Sequence, residues 1–152
     1  DGERLMFNVG IIAVKRGGFG RELIVNGGFD TASNWTFPTG WSRVATGGGR
    51  LRGTSSMANE SQVQQSLAQG FGGFEPGKLY RVRFSVVAYT SGTVQFNPDL
   101  TEPWVAPINA AGLGDYEVIW RNAEITRNFF RLRNTNAPFI GEIDNISAQE
   151  VL

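Results

Sequence analysis

The chain has 152 residues, with 14 basic and 14 acidic side chains, 41% hydrophobic residues and 18% charged residues. That suits one globular domain and leaves no net charge to draw it to nucleic acid or an anionic membrane. Cysteine and histidine are both absent, which removes disulfides, thiolate and imidazole metal sites, cysteine nucleophiles, Ser-His-Asp triads and the usual base near neutral pH.

From Leu5 to Val14, Leu5, Phe7, Val9, Ile11 and Ala13 alternate with Met6, Asn8, Gly10, Ile12 and Val14, both sets largely apolar. The stretch is too short to insert in a membrane. It reads either as a first strand covered on both faces or as an assembly arm, carried by Leu5, Phe7, Val9, Ile11 and Ile12, that pairs with another subunit by strand addition. Lys15-Arg16-Gly17-Gly18-Phe19-Gly20 follows as a flexible joint. Residues 1–20 are therefore set apart from a β domain over 21–152. The chain starts at Asp1 without Met, so processing or a longer parent remains open.

Glycine numbers 20 and clusters at Gly27-Gly28, Gly47-Gly48-Gly49 and Gly72-Gly73. Short runs of β-branched and aromatic residues lie between these breaks, the pattern of many short strands. Trp35 and Trp41 flank Phe37-Pro38-Thr39-Gly40 and are expected to close one end of a sandwich. Ser61 to Gln69 has too thin an apolar spacing for a helix. After the turn Glu75-Pro76-Gly77-Lys78, Leu79 to Tyr89 gives the clearest strand, with Tyr80, Val82, Phe84 and Val86 alternating against Arg81, Arg83 and Ser85. Thr93 to Phe96 is expected to form a hairpin with it through Ser91-Gly92. Asp115 to Trp120 alternates Tyr116, Val118 and Trp120 against Glu117 and Ile119, and Asn128 to Arg133 sets Phe130 and Leu132 against Phe129, Arg131 and Arg133. Gly141 to Ile146 puts Ile143 and Asn145 on one face, Asp144 and Ile146 on the other. The fold class is all-β, an antiparallel β-sandwich.

Signatures of catalysis are missing. Gly48 to Gly53 lacks the lysine of a phosphate loop, no Gly-x-Ser-x-Gly elbow occurs, and Asp144-Asn145-Ile146 lacks an EF-hand ladder. Two converging carboxylates could serve a glycosidase, but none of the acidic residues has a local context that raises its pKa. The chain is expected not to be an enzyme. Among the four Trp residues, Trp104 stands in the polar, Pro-rich segment from Asn97 to Trp104 and is the best platform for stacking on a sugar.

The segment Glu22-Leu23-Ile24-Val25-Asn26-Gly27-Gly28-Phe29-Asp30, followed by Trp35, resembles the opening strand of carbohydrate-binding-module jelly rolls of the family 4, 9 and 22 type. Pro76-Gly77-Lys78-Leu79-Tyr80-Arg81-Val82-Arg83-Phe84 and the closing Gly141-Glu142-Ile143-Asp144-Asn145-Ile146-Ser147 extend the likeness over most of the chain. The resemblance implies a galactose-binding-like sandwich, a jelly roll. It also implies a structural calcium, which by matching position would take the Asp144 carboxylate with Asp30 and the backbone of Gly28; no other cofactor is implied. Glycan stacking would fall to Trp104, Tyr89 and Phe96. A narrower likeness covers Asn34-Trp35-Thr36, Thr39-Gly40-Trp41-Ser42, a Gly-rich turn and the Gln-rich strand Ser61 to Leu67. It is similar to modules of bacteriophage virion proteins on tails, fibres, baseplates and head decorations.

Two functions follow as expectations. The first is a non-catalytic structural or decoration module on the exterior of a virion or similar assembly, a homo-oligomer anchored to neighbouring subunits by its first twenty residues and touching host glycans. The alternative is a stand-alone carbohydrate-binding module appended to a secreted or surface protein, with polysaccharide as partner. Neither involves nucleic acid or membrane insertion.

Overall fold

The computed structural model describes residues 18–70, 72–98, 106–123 and 125–152. Among these residues ten strands form two antiparallel sheets: β1 (Phe19–Glu22), β2 (Trp41–Val44), β3 (Arg50–Gly53), β4 (Gln62–Ser66), β5 (Leu79–Ser91), β6 (Val94–Phe96), β7 (Ile108–Ala110), β8 (Gly114–Arg121), β9 (Phe129–Asn134) and β10 (Ile140–Val151). The six-stranded sheet runs β2-β3-β10-β5-β8, with β1 also paired to β10, and the four-stranded sheet runs β4-β9-β6-β7. This is the expected jelly-roll sandwich.

The inward faces follow the period-two patterns. Tyr80, Val82, Phe84 and Val86 of β5 are buried, as are Val63 of β4, Val94 and Phe96 of β6, and Phe130 and Leu132 of β9. An aromatic chain ties the sheets together across this core. Phe29 stacks on Trp35 with ring centroids 5.2 Å apart, Trp35 meets Phe130 edge-on at 6.1 Å, and Phe130 stacks on Phe96 at 5.3 Å. Trp120 then meets both Phe96 and Phe74 edge-on, at 5.4 and 5.1 Å. Such pairs add about 0.5–1.5 kcal/mol each beyond the area they bury.

Buried amides organise the irregular segments. Gln65 faces inward and takes the place of a strand partner for Val25, accepting its N–H at 2.9 Å and donating to its carbonyl at 2.8 Å. Asn134 accepts from Ser61 N–H and donates to the carbonyls of Ala58 and Ala137. These contacts satisfy backbone groups that no ladder reaches.

Three local expectations change. β6 does not form a hairpin with β5; it pairs with β7 and β9 in the other sheet. The link turns at Gly92, whose φ is +87° and whose hydrogens lie so close to the Pro138 carbonyl that a Cβ would collide with it. On β10, Asn145 has φ +58° and the pairing slips by one residue between Asp144 and Ser147. That bulge leaves Asn145 exposed and turns Ile146 inward, so Ile143 and Ile146 are both buried. The end of the supposed joint, Phe19 and Gly20, also enters the sheet. Phe19 pairs opposite Val151, its ring lies under the Arg81 guanidinium at 3.6 Å, and Leu152 N–H donates to the Gly18 carbonyl.

Candidate functional site

The loop that the resemblance offers to calcium is tied up largely by the protein's own groups. Asn26 occupies the left-handed region at φ +57° and folds the loop onto itself, donating to the carbonyls of Thr31 and Ser33 and accepting from Asp30 N–H. Arg43 of β2 then donates to the Phe29 and Asp30 carbonyls at 2.9 and 2.8 Å. A guanidinium thus already sits on the oxygens of this loop. Gly28 is exposed, and Asp144 Oδ1 accepts from the N–H of Asn145, its own neighbour, at 2.8 Å. Calcium asks for six to eight oxygens, and no group of three or more acidic residues able to hold a metal occurs among the described residues.

The expected sugar platforms do not come together. Phe96 has no exposed surface and lies in the aromatic core, because its strand alternates Val94 and Phe96 inward with Gln95 between them. Tyr89 stands on the other sheet, half-buried against Phe139, with its hydroxyl donating to the Gly92 carbonyl. Trp104 and the arm residues Leu5, Phe7, Val9, Ile11 and Ile12 lie outside the described residues.

The two outward sheet faces differ in chemistry. On the six-stranded sheet several guanidiniums are paired with carboxylates. Glu142 of β10 accepts from Arg52 at 2.6 Å and Arg50 at 3.1 Å, both on β3. These guanidiniums, Arg52 foremost, hold its carboxyl below the usual carboxylate range against the opposing effect of burial. Arg81 bonds Gln149 and pairs with Glu117, and Ser85 donates to Asp115.

The four-stranded sheet instead presents amides and guanidiniums. One rung crosses all four strands: Gln62 lies opposite Arg133, Arg133 opposite Gln95, and Gln95 opposite Asn109. At the usual strand spacing this rung is about 14 Å wide. Its polar groups form a relay, with Arg133 Nε donating to Gln95 Oε1 at 3.5 Å and Gln95 Nε2 donating to Asn109 Oδ1 at 2.7 Å. The next rung pairs Gln64 with Arg131, whose Nε donates to Gln64 Oε1 at 3.0 Å. A third pairs Ser66 with Phe129, an exposed aromatic ring whose centroid lies 4.9 Å from the Arg131 guanidinium. At the same end Arg127 donates to the Pro98 carbonyl, just before the segment that contains Trp104.

Gln95 and Arg133 are buried, so the groups of this face left to bond hydroxyls are Gln62, Gln64, Arg131 and Asn109, with the Phe129 ring for stacking. Sequence reasoning placed Arg131 and Arg133 on one face and noted the glutamines of β4. It missed Gln95 and Asn109 as partners, since only the register of two three-residue strands aligns them.

No family model matches the sequence, and no curated protein matches it. Among solved structures, the CBM22-1 xylan-binding domain of Xyn10C from Paenibacillus barcinonensis superposes with a TM-score of 0.54 at 15% identity, over 87% of this chain and 96% of that one. A xylan-binding domain from CBM 22 matches with a TM-score of 0.44 at 10% identity, over 90% of this chain and 97% of its own. A family 16 carbohydrate-binding module matches with a TM-score of 0.42 at 18% identity, over 83% and 98%. At these identities the likeness is one of fold: the chain shares the sandwich architecture of carbohydrate-binding modules.

Proposed function

We propose that this chain is a non-catalytic module that binds polysaccharide across the outward face of its four-stranded sheet. The observation that carries the reading is the set of accessible groups Gln62, Gln64, Arg131, Asn109 and Phe129, held in register around the buried pair Arg133 and Gln95. Amides and guanidiniums held in register on strands bond sugar hydroxyls without ordering loops first, which lowers the entropic cost of binding. The architecture shared with a xylan-binding domain supports the same class of ligand, although fold alone does not decide function. The buried carboxylate Glu142 argues against acid catalysis, because its arginine partners stabilise the ionised form, the reverse of what a general acid needs. Such a module would act outside the cell, where polysaccharide is met.

Affinity electrophoresis against a panel of soluble polysaccharides tests the reading. Retardation by at least one polymer is expected. It should weaken about tenfold in Gln64→Ala and be unchanged in Arg83→Ala on the opposite sheet. Failure of every polymer to retard the chain, or equal loss in both variants, would refute it.

Assembly through the first twenty residues is the second reading, with the virion exterior as its setting. It rests on the alternating apolar run from Leu5 to Val14. The chain enters the described body at β1, in the six-stranded sheet. Light scattering of the intact chain and of one lacking residues 1–17 decides it. Oligomers that vanish on truncation support an arm, and a monomer in both forms removes it.

A further inference from the structure

The charge distribution on the proposed glycan face, taken together with that reading, narrows the ligand. We infer that the polysaccharide bound there is anionic, carrying carboxylates as uronic-acid polymers do. Half-buried Arg131 and buried Arg133 take alternate positions on the outward side of β9, and Arg127 lies just before them. Among the described residues the one carboxylate paired with this group is Glu60, which meets Arg133 Nη1 at 3.4 Å and is itself 58% exposed. The opposite face shows the contrast, since Arg50 and Arg52 share Glu142, and Arg81 meets Glu117.

Arg133 is 2% exposed, and among the described residues its Nη2 has no hydrogen-bond partner. A guanidinium so enclosed and so weakly paired leaves positive charge beneath the sheet surface, where the low local dielectric transmits it outward. Arg131 is the group placed to touch the ligand. Burial and the nearby Arg127 charge both push its pKa down, so its charged form is held under repulsion that a bound anion relieves. Its Nε is committed to Gln64, and that bond orients the guanidinium fork. A planar fork fits a carboxylate through two parallel bonds, which neutral hydroxyls do not match. Gln62, Gln64 and Asn109 remain to bond the hydroxyls of the same sugars.

The test is affinity electrophoresis of the full chain in gels containing polygalacturonate, the same polymer after carboxyl reduction, a neutral xylan, a sulfated galactan or single-stranded DNA. Polygalacturonate is expected to retard the chain at least tenfold more strongly than its carboxyl-reduced form. The effect should shrink steeply between 50 and 500 mM NaCl, as about a threefold shorter screening length dictates. Arg131→Gln should lose about tenfold of the retardation and Arg131→Lys less, each checked for an unchanged melting temperature. Equal retardation by the reduced and acidic polymers overturns the inference and leaves the glycan reading standing. Stronger retardation by the sulfated polymer refutes the carboxylate assignment. Preference for DNA, or no retardation by any glycan, overturns both.

Discussion

Asn26 offers the sharpest test of how the opening loop is built. Its φ of +57° lies in the region that side chains other than Asn, Asp and Gly enter at a cost of about 1 kcal/mol. Its side chain makes three bonds of 2.9 Å, to the carbonyls of Thr31 and Ser33 and from Asp30 N–H. Each is worth about 1 kcal/mol net when buried, and the exposed setting brings their sum down to about 2 kcal/mol. Asn26→Ala should therefore cost about 3 kcal/mol, or roughly 6–12 °C in melting temperature for a domain of this size. Asn26→Gly restores the backbone freedom and should cost about 2 kcal/mol, and Asn26→Asp, which keeps the acceptor, about 1 kcal/mol. Urea unfolding followed by tryptophan fluorescence measures all three, and it has a local reporter. Trp35 Nε1 donates to the Asn26 carbonyl at 2.9 Å. An Asn26→Ala cost below 1 kcal/mol, or a Gly variant as stable as the parent, would refute this account of the loop.

Three further outcomes follow from the ion pairs and the cation in that loop. The Glu142 pKa is depressed in the folded chain, so its contribution is fully present above the ordinary glutamate value and is lost as pH falls through the lower folded value. Stability measured by urea unfolding from pH 6 down to pH 3 should therefore fall less steeply in Glu142→Gln than in the parent; parallel curves would contradict the pairing with Arg50 and Arg52. Calcium at millimolar concentration, or its removal with a chelator, should leave the melting temperature unchanged, because Arg43 occupies the loop carbonyls. Arg43→Ala should cost about 2 kcal/mol in the same unfolding assay by leaving those oxygens without their charged donor.

Where one face of a strand is buried and the other wet, the pattern shows in the residues themselves. Tyr80 to Val86 alternates without a break, and the structure buries those same four side chains. Asn128 to Arg133 was legible for the same reason. The failures have local causes that no alternation announces. A one-residue bulge at Asn145 turns Ile146 inward, where strict alternation would place it opposite Ile143. The short Ser91-Gly92 link has the length of a hairpin turn, yet it carries the chain from one sheet to the other. The β2–β3 hairpin passed unread although its turn was visible as Gly47-Gly48-Gly49, three glycines that all take positive φ. Phe96 was expected at a sugar platform from the resemblance. Its alternation with Gln95 already placed it inside once Val94 is taken as core.

The glycan face was less legible than the fold because its parts are distant in sequence. Gln62, Gln95, Asn109 and Arg133 come from four strands, and only the pairing of β4-β9-β6-β7 brings them onto one rung. The formal charge misled in the same way. Fourteen basic and fourteen acidic residues sum to zero over the chain, which in sequence argues against any electrostatic preference. The described structure separates them. Carboxylates and guanidiniums pair on the six-stranded sheet, while Arg127, Arg131 and Arg133 gather by the other with Glu60 as their described carboxylate partner. A ligand meets one face and not the sum, so the field that matters for recognition is the local one. On that ground a chain with no net charge is expected to bind in a salt-dependent way, and weakening as salt rises distinguishes an acidic glycan from a neutral one.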